Sequence, residues 1–162
     1  SHWCARISQN RSALAGKNSR FLALEVAGSL TVEKGVKVAA HNEVRVSDGG
    51  QVVLNGGLLE SARWVDIQAG GSLEGHGLIR AELFTKGILS LSGEKPLVID
   101  GNAYLSGELK LSSIPSPKMD KRLTVIKANL ISGGFKNNEV LIGGKLFSIF
   151  YTPTSVTVKA KL

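Results

Sequence analysis

A tryptophan and an arginine stand side by side at Arg63 and Trp64. An exposed indole can stack on a sugar ring, and a guanidinium can form paired hydrogen bonds with a sulfate or carboxylate. Val65 and Ile67 alternate along the same strand and are predicted to face the core, so Trp64 should face outward while Arg63 points the opposite way. We interpret Arg63, Trp64 and Arg45 as candidate carbohydrate-binding residues. The alternative is that Trp64 packs within the fold or at an interface.

Four carboxylates in the middle of the chain could do acid–base chemistry. Glycoside hydrolases work with two carboxylates that flank the scissile bond. The candidates, Glu60, Asp66, Glu74 and Glu82, do not repeat at a constant interval. A common face is therefore not predicted for them, and we interpret them as surface acids.

A set of basic residues could serve the alternative chemistry of a polysaccharide lyase. Such an enzyme removes the proton next to a uronate carboxylate, and a cation neutralises the acid. The candidates are Arg45, Arg63, His76, Arg80 and Lys86. The histidine lies between two glycines and is predicted to be an exposed turn residue, so we assign no catalytic residue.

No metal or cofactor is predicted. The histidines His2, His41 and His76 are isolated, without an acidic partner at ligand spacing. The chain also lacks a P-loop, a nucleophile elbow and a dinucleotide-binding fingerprint.

The elements that would position these residues are short strands punctuated by glycine. Gly28, Gly50, Gly71 and Gly87 each precede a short apolar-alternating run, at steps of 22, 21 and 16 residues. A recurring turn glycine followed by alternation at about 20 residues is typical of a β-solenoid. A hairpin-based sandwich is the alternative, but it has no reason to repeat its turn chemistry in register. We therefore predict an all-β, right-handed parallel β-solenoid.

The pattern divides this single domain into three parts. Residues 1–20 are polar and irregular and are predicted to be a leading segment or cap. Residues 21–111 are predicted to form the solenoid coils. Two prolines, Pro115 and Pro117, break the rhythm, and residues 112–162 are predicted to form a β-rich closing unit.

The charge distribution bears on partners. The net charge is +7, distributed as +4 in residues 1–40, −3 in 41–117 and +6 in 118–162. Basic ends could attract an anionic polysaccharide. Nucleic acid is not predicted, because the basic residues are not interleaved with aromatic ones and no recognition helix is apparent. No apolar run approaches the roughly 20 residues of a membrane span.

Several stretches carry a resemblance to a known class. They are Gly71–Ile79 (GSLEGHGLI), Leu97–Leu109 (LVIDGNAYLSGEL), Arg122–Ala128 (RLTVIKA), Ser132–Phe135 (SGGF) and Tyr151–Val158 (YTPTSVTV). Together they resemble the C-terminal segment of bacterial secreted and surface β-helical proteins, which include autotransporter passenger-type repeats and similar tails on large polysaccharide-active enzymes. Such repeats are usually poor in Lys and Arg, and this chain departs from that pattern. The resemblance implies export, a secreted or cell-surface setting and a supporting role beside another domain.

These observations together predict a non-catalytic accessory or surface module of a larger exported bacterial protein, acting as a spacer or as a carbohydrate-binding platform. The alternative is a polysaccharide lyase or glycoside hydrolase whose site lies on one solenoid face. A third possibility is a self-associating adhesin.

Overall fold

The computed structural model describes residues 4–114 and 121–161, so the Pro115–Pro117 break lies outside the described residues. Within those ranges every regular element is a strand, and the chain forms a parallel β-solenoid of about five turns. The predicted fold class is confirmed, while the right-handed winding stays a prediction. None of the described residues belongs to a helix long and apolar enough to cross a membrane.

Each coil contributes a strand to each of three stacked parallel sheets, which we call faces A, B and C. Two long strands, β8 (Gln51–Ile67) and β9 (Ser72–Thr85), run through all three. The other strands of face A are β2 (Ser12–Ala15), β5 (Ser29–Glu33), β10 (Ile88–Leu91) and β13 (Glu108–Leu111). Face B adds β3 (Ser19–Phe21), β6 (Lys37–Ala40), β11 (Leu97–Ile99) and β14 (Leu123–Lys127). Face C adds β1 (Cys4–Ile7), β4 (Ala23–Val26), β7 (Glu43–Val46), β12 (Asn102–Leu105) and β15 (Leu130–Gly133).

Apolar residues of successive coils stack in columns inside the solenoid. On face A, Leu30, Val52, Leu73, Leu89 and Leu109 are register partners from one coil to the next, and all are buried. The alternation seen in the sequence places every second side chain in this core. The core is therefore a continuous aliphatic stack that each coil completes for its neighbours.

The recurrence of glycine before the strands of face A has two physical causes. In the turns before face A, Gly49 and Gly70 have φ of 82° and 85°, a conformation that favours glycine. The next residues, Gly50 and Gly71, lie against carbonyl oxygens of the preceding coil, where a Cβ would clash. Gly87 has the same environment, so the recurring glycine marks a place where backbone packs on backbone.

The first part of the chain is more regular than its polar composition suggested. Its strands β1, β2 and β3 pair in parallel with β4, β5 and β6. Residues 4–21 therefore form the first coil of the solenoid, and the role of this segment as a cap stays a prediction.

An antiparallel sheet follows the last coil. Strands β16 (Glu139–Ile142), β17 (Lys145–Thr152) and β18 (Ser155–Ala160) pair in sequence, and β18 also pairs with β14. Partial burial raises the pKa of Tyr151, although the backbone N–H of Phe135, which donates to its phenol oxygen at 2.8 Å, opposes the shift. The predicted boundary at residue 111 is too early, because β14 and β15 pair in parallel with β11 and β12 and so continue the coils to Gly133. The function of the antiparallel sheet as a closing unit stays a prediction.

Candidate functional site

The outer surface of face C carries the predicted binding residues. Val65 and Ile67 are fully buried, as the alternation predicted, and Trp64 lies half-buried on the outer side. Strand β7 supplies Arg45, and β8 supplies Trp64 and Asp66. The parallel register places Arg45 beside Asp66 and Glu43 beside Trp64, so neighbouring coils build one continuous surface.

Strict alternation predicted that Arg63 points to the opposite side from Trp64. In the structure both residues lie on the outer side. The pairing of β8 with β9 is irregular between Glu60 and Trp64, and both Ala62 and Arg63 are exposed there. This is the corner between faces B and C. The Arg63 guanidinium carbon consequently lies 5.5 Å from the centre of the Trp64 ring, within the range of a cation–π contact.

Glu43 holds the other two candidate residues in place. One carboxylate oxygen accepts the indole N–H of Trp64 at 2.9 Å, and the other accepts from Arg45 at 3.1 Å. The structure thus brings Arg45, Arg63 and Trp64 together, with Glu43 as an organiser that sequence reasoning missed.

Two further aromatic residues continue the site along the solenoid. The rings of Trp64 and Phe84 meet edge-to-face at 6.4 Å, and those of Phe84 and Tyr104 stack at 4.7 Å with an interplanar angle of 11°. Sequence reasoning missed Phe84 and Tyr104, although the 20-residue spacing from Trp64 was a visible signal. Phe84 and Tyr104 cover each other's ring faces, so their stacking contributes to the contact between two coils. Trp64 therefore remains the candidate residue for stacking on a sugar.

The aromatic stack should contribute measurably to stability. We expect a double-mutant cycle with Phe84→Leu and Tyr104→Leu to give a coupling free energy of about 0.5–1.5 kcal/mol, typical of aromatic pairs. Urea unfolding of the wild type, both single variants and the double variant measures it. The same cycle with Phe84→Leu and Lys110→Ala, on face A, should give no coupling; equal coupling in both cycles would contradict the contact.

A shallow groove of about 260 Å³ lies on face C. Its walls are Glu43, Arg45, Trp64, Asp66, Phe84 and Lys86. One carboxylate oxygen of Asp66 is buried there without a hydrogen-bond partner among the described residues. The groove therefore combines an indole with two cations, Arg45 and Lys86, and two carboxylates, Glu43 and Asp66.

Two other grooves are larger but lack an aromatic ring. One, of about 350 Å³, contains Glu60 and Arg80, which already form an ion pair at 3.3 Å. The other, of about 390 Å³, lies between β13 and β16. Size alone would favour these grooves, but their chemistry offers no stacking surface for a sugar.

The candidate acids do not assemble into one site. Glu60 lies on face B between Lys37 and Arg80, and Glu74 lies on face A, where it accepts from Gln51 at 2.7 Å. Asp66 and Glu82 share face C. The carboxylate of Glu82 is occupied by the backbone N–H of Asn102.

The basic candidates are also divided among the faces. Arg45, Arg63 and Lys86 lie at or beside the groove. Arg80 is on face B, where it pairs with Glu60 and Asp100. The prediction of an exposed turn for His76 is wrong, because His76 lies half-buried within β9, in register with Asn55.

Within residues 4–114 and 121–161, no three His, Cys, Asp or Glu side chains are grouped as metal ligands. The chain matches no family model, no curated protein and no solved structure.

Proposed function

We propose that this chain is a non-catalytic accessory module of a larger exported bacterial protein and that the face C groove binds an anionic polysaccharide. The observation that carries the proposal is the half-buried Trp64, fixed by Glu43 and surrounded by Arg45, Arg63 and Lys86. An indole held in place loses little conformational entropy when a sugar stacks on it.

The shape of the groove favours a polymer over a small molecule. The groove is shallow and crosses coils from β7 to β9, so an extended chain could follow the surface along the solenoid axis. Arg45 in the groove and Arg63 beside it suit carboxylate or sulfate groups, which a guanidinium can bind through paired hydrogen bonds. The rigid stacked column also suits the spacer role, since each coil braces the next.

The arrangement of acids argues against the hydrolase alternative. A hydrolase needs two carboxylates across one bond. Glu60 and Glu74 lie on different faces and already have partners. On face C, Asp66 has Glu82 and Glu43 as neighbours, but Glu82 accepts from the backbone N–H of Asn102 and Glu43 accepts from Trp64 and Arg45. For the lyase alternative the arrangement is not decisive, because Arg45, Arg63 and Lys86 lie at or beside the groove, and an assay for unsaturated uronate products separates binding from lyase activity.

Binding is tested with a panel of sulfated, uronic and neutral polysaccharides, followed by calorimetry on any that bind. We expect anionic glycans to bind and their affinity to fall as salt is raised, because exposed charges are screened. If no polysaccharide in the panel binds, the binding proposal is wrong. Release of unsaturated uronate products would overturn the non-catalytic assignment.

Single substitutions locate the site. Trp64→Ala and Lys86→Ala should each weaken binding about tenfold or more, since a central aromatic or cationic contact is often worth more than 1.4 kcal/mol. Lys110→Ala, an exposed lysine on face A, is the matched control and should leave the affinity unchanged. If Lys110→Ala weakens binding as much as Lys86→Ala does, net charge and not the groove binds the glycan. Thermal melting of each variant checks that the fold is retained.

A further inference from the structure

The first coil leaves one end of the solenoid open among the described residues. Its strands β1, β2 and β3 pair only with the coil that follows. Its inward side chains, which include Ile7 and Phe21, are only half-buried, whereas Leu24, Val26 and Val38 of the next coil are at most 3% exposed.

This end exposes both backbone groups and apolar side chains that another coil could cover. Edge strands present rows of unpaired N–H and C=O groups that can template another strand. The half-buried apolar side chains would lose their remaining contact with water if another coil covered them. A partner that continues the parallel pairing satisfies both requirements, in the way that a strand adds to a sheet edge.

Ion pairs between coils indicate what charge that partner should carry. On face C, Arg6, Glu25, Arg45 and Asp66 are successive register partners, so the sign alternates from coil to coil. Arg6 and Glu25 are 3.4 Å apart. On face B the cross-coil ion pairs likewise join opposite charges, along the series Lys37, Glu60, Arg80 and Asp100.

The first coil itself is uniformly basic. Residues 4–22 contain four Lys or Arg and no Asp or Glu. Two copies of this chain meeting at their first coils would bring eight cations together, and like charges on paired strands are destabilising. The charge pattern therefore disfavours a second copy at this end.

We infer that a further parallel β-coil of the same larger protein, with an acidic side chain over Arg6, packs on the first coil. This inference rests on the proposed role as one part of a larger protein. It is independent of the glycan groove, whose lining residues belong to β7, β8 and β9 and to Lys86 just after β9.

The test places such a coil before the first coil, in place of residues 1–3. A copy of residues 23–42 is joined directly to Cys4, so that the copied Glu25 lies over Arg6. Hydrogen exchange is then measured at the amides of β1, β2 and β3. We expect their exchange to slow by about tenfold or more, because they become interior strands, and the melting temperature to rise.

The matched control carries Glu25→Lys in the copied coil only and should slow exchange less. If the glutamate extension leaves β1–β3 exchange unchanged, the inference is overturned. If the lysine copy protects equally, the charge rule is wrong. If the unextended chain associates in sedimentation and its β1–β3 exchange slows with concentration, a second copy is the partner instead. Loss of glycan binding in Trp64→Ala has no bearing on any of these outcomes, so the two proposals can fail separately.

Discussion

Replacing Gly87 by alanine is expected to lower the free energy of unfolding by about 2–3 kcal/mol. The φ of Gly87 lies outside the left-handed region, so the cost comes from packing alone. A Cβ there would meet the carbonyl oxygen of Gly71 and would lie 2.5 Å from that of Gln68. Both are backbone atoms of the preceding coil and cannot rotate away, so the coils must separate locally.

The measurement is chemical or thermal unfolding, in which the melting temperature should fall by roughly 5–10 °C for a domain of this size. Gly16→Ala is the control, because a Cβ at Gly16 would meet nothing within 4 Å and its φ is not in the left-handed region. Equal stability of the two variants would show that the coils do not approach as closely as described.

Replacing Phe147 by alanine is expected to cost about 3–5 kcal/mol, the usual range for a buried aromatic residue. Phe147 is 1% exposed and lies in the middle of the antiparallel sheet, opposite Val140 on one strand and Ala160 on the other. Its removal leaves a cavity in the hydrophobic core, to which Phe147 belongs together with the inward residues of the coils. If the sheet closes the solenoid, the whole chain should lose stability in one transition.

The control is Phe150→Ala on the same strand, where the ring is 36% exposed and lies under Arg122 at 4.2 Å. It should cost much less, because a partly exposed ring buries less apolar surface. Urea unfolding followed by hydrogen exchange distinguishes the outcomes. A separate early transition of β16–β18 in Phe147→Ala, with the coils unaffected, would contradict the closing role.

The fold class was predictable because a solenoid repeats a local pattern. Alternation at period two identified the inward residues, such as Val65 and Ile67, and glycine marked each turn. The same local signals failed in the first coil, where small residues such as Ala13 and Ala15 face inward and polar ones dominate. The strand β2 is stabilised by pairing with β5, and this pairing cannot be predicted from the composition of β2 alone.

The candidate site was predictable only in part. Trp64 and its outward direction followed from the neighbouring strand residues. The position of Arg63 did not, because the break in register before Trp64 turns the chain at a corner and places both side chains on the outside.

By itself, the sequence determined that this chain is a stack of short strands with an aliphatic interior, since period and turn chemistry are local properties. Only the tertiary structure decided which outward residues become neighbours. Glu43, Trp64 and Phe84 lie on different coils, about 20 residues apart, and the parallel register alone brings them together. Register depends on how the whole stack packs, so a surface built across coils appears only when the coils are assembled.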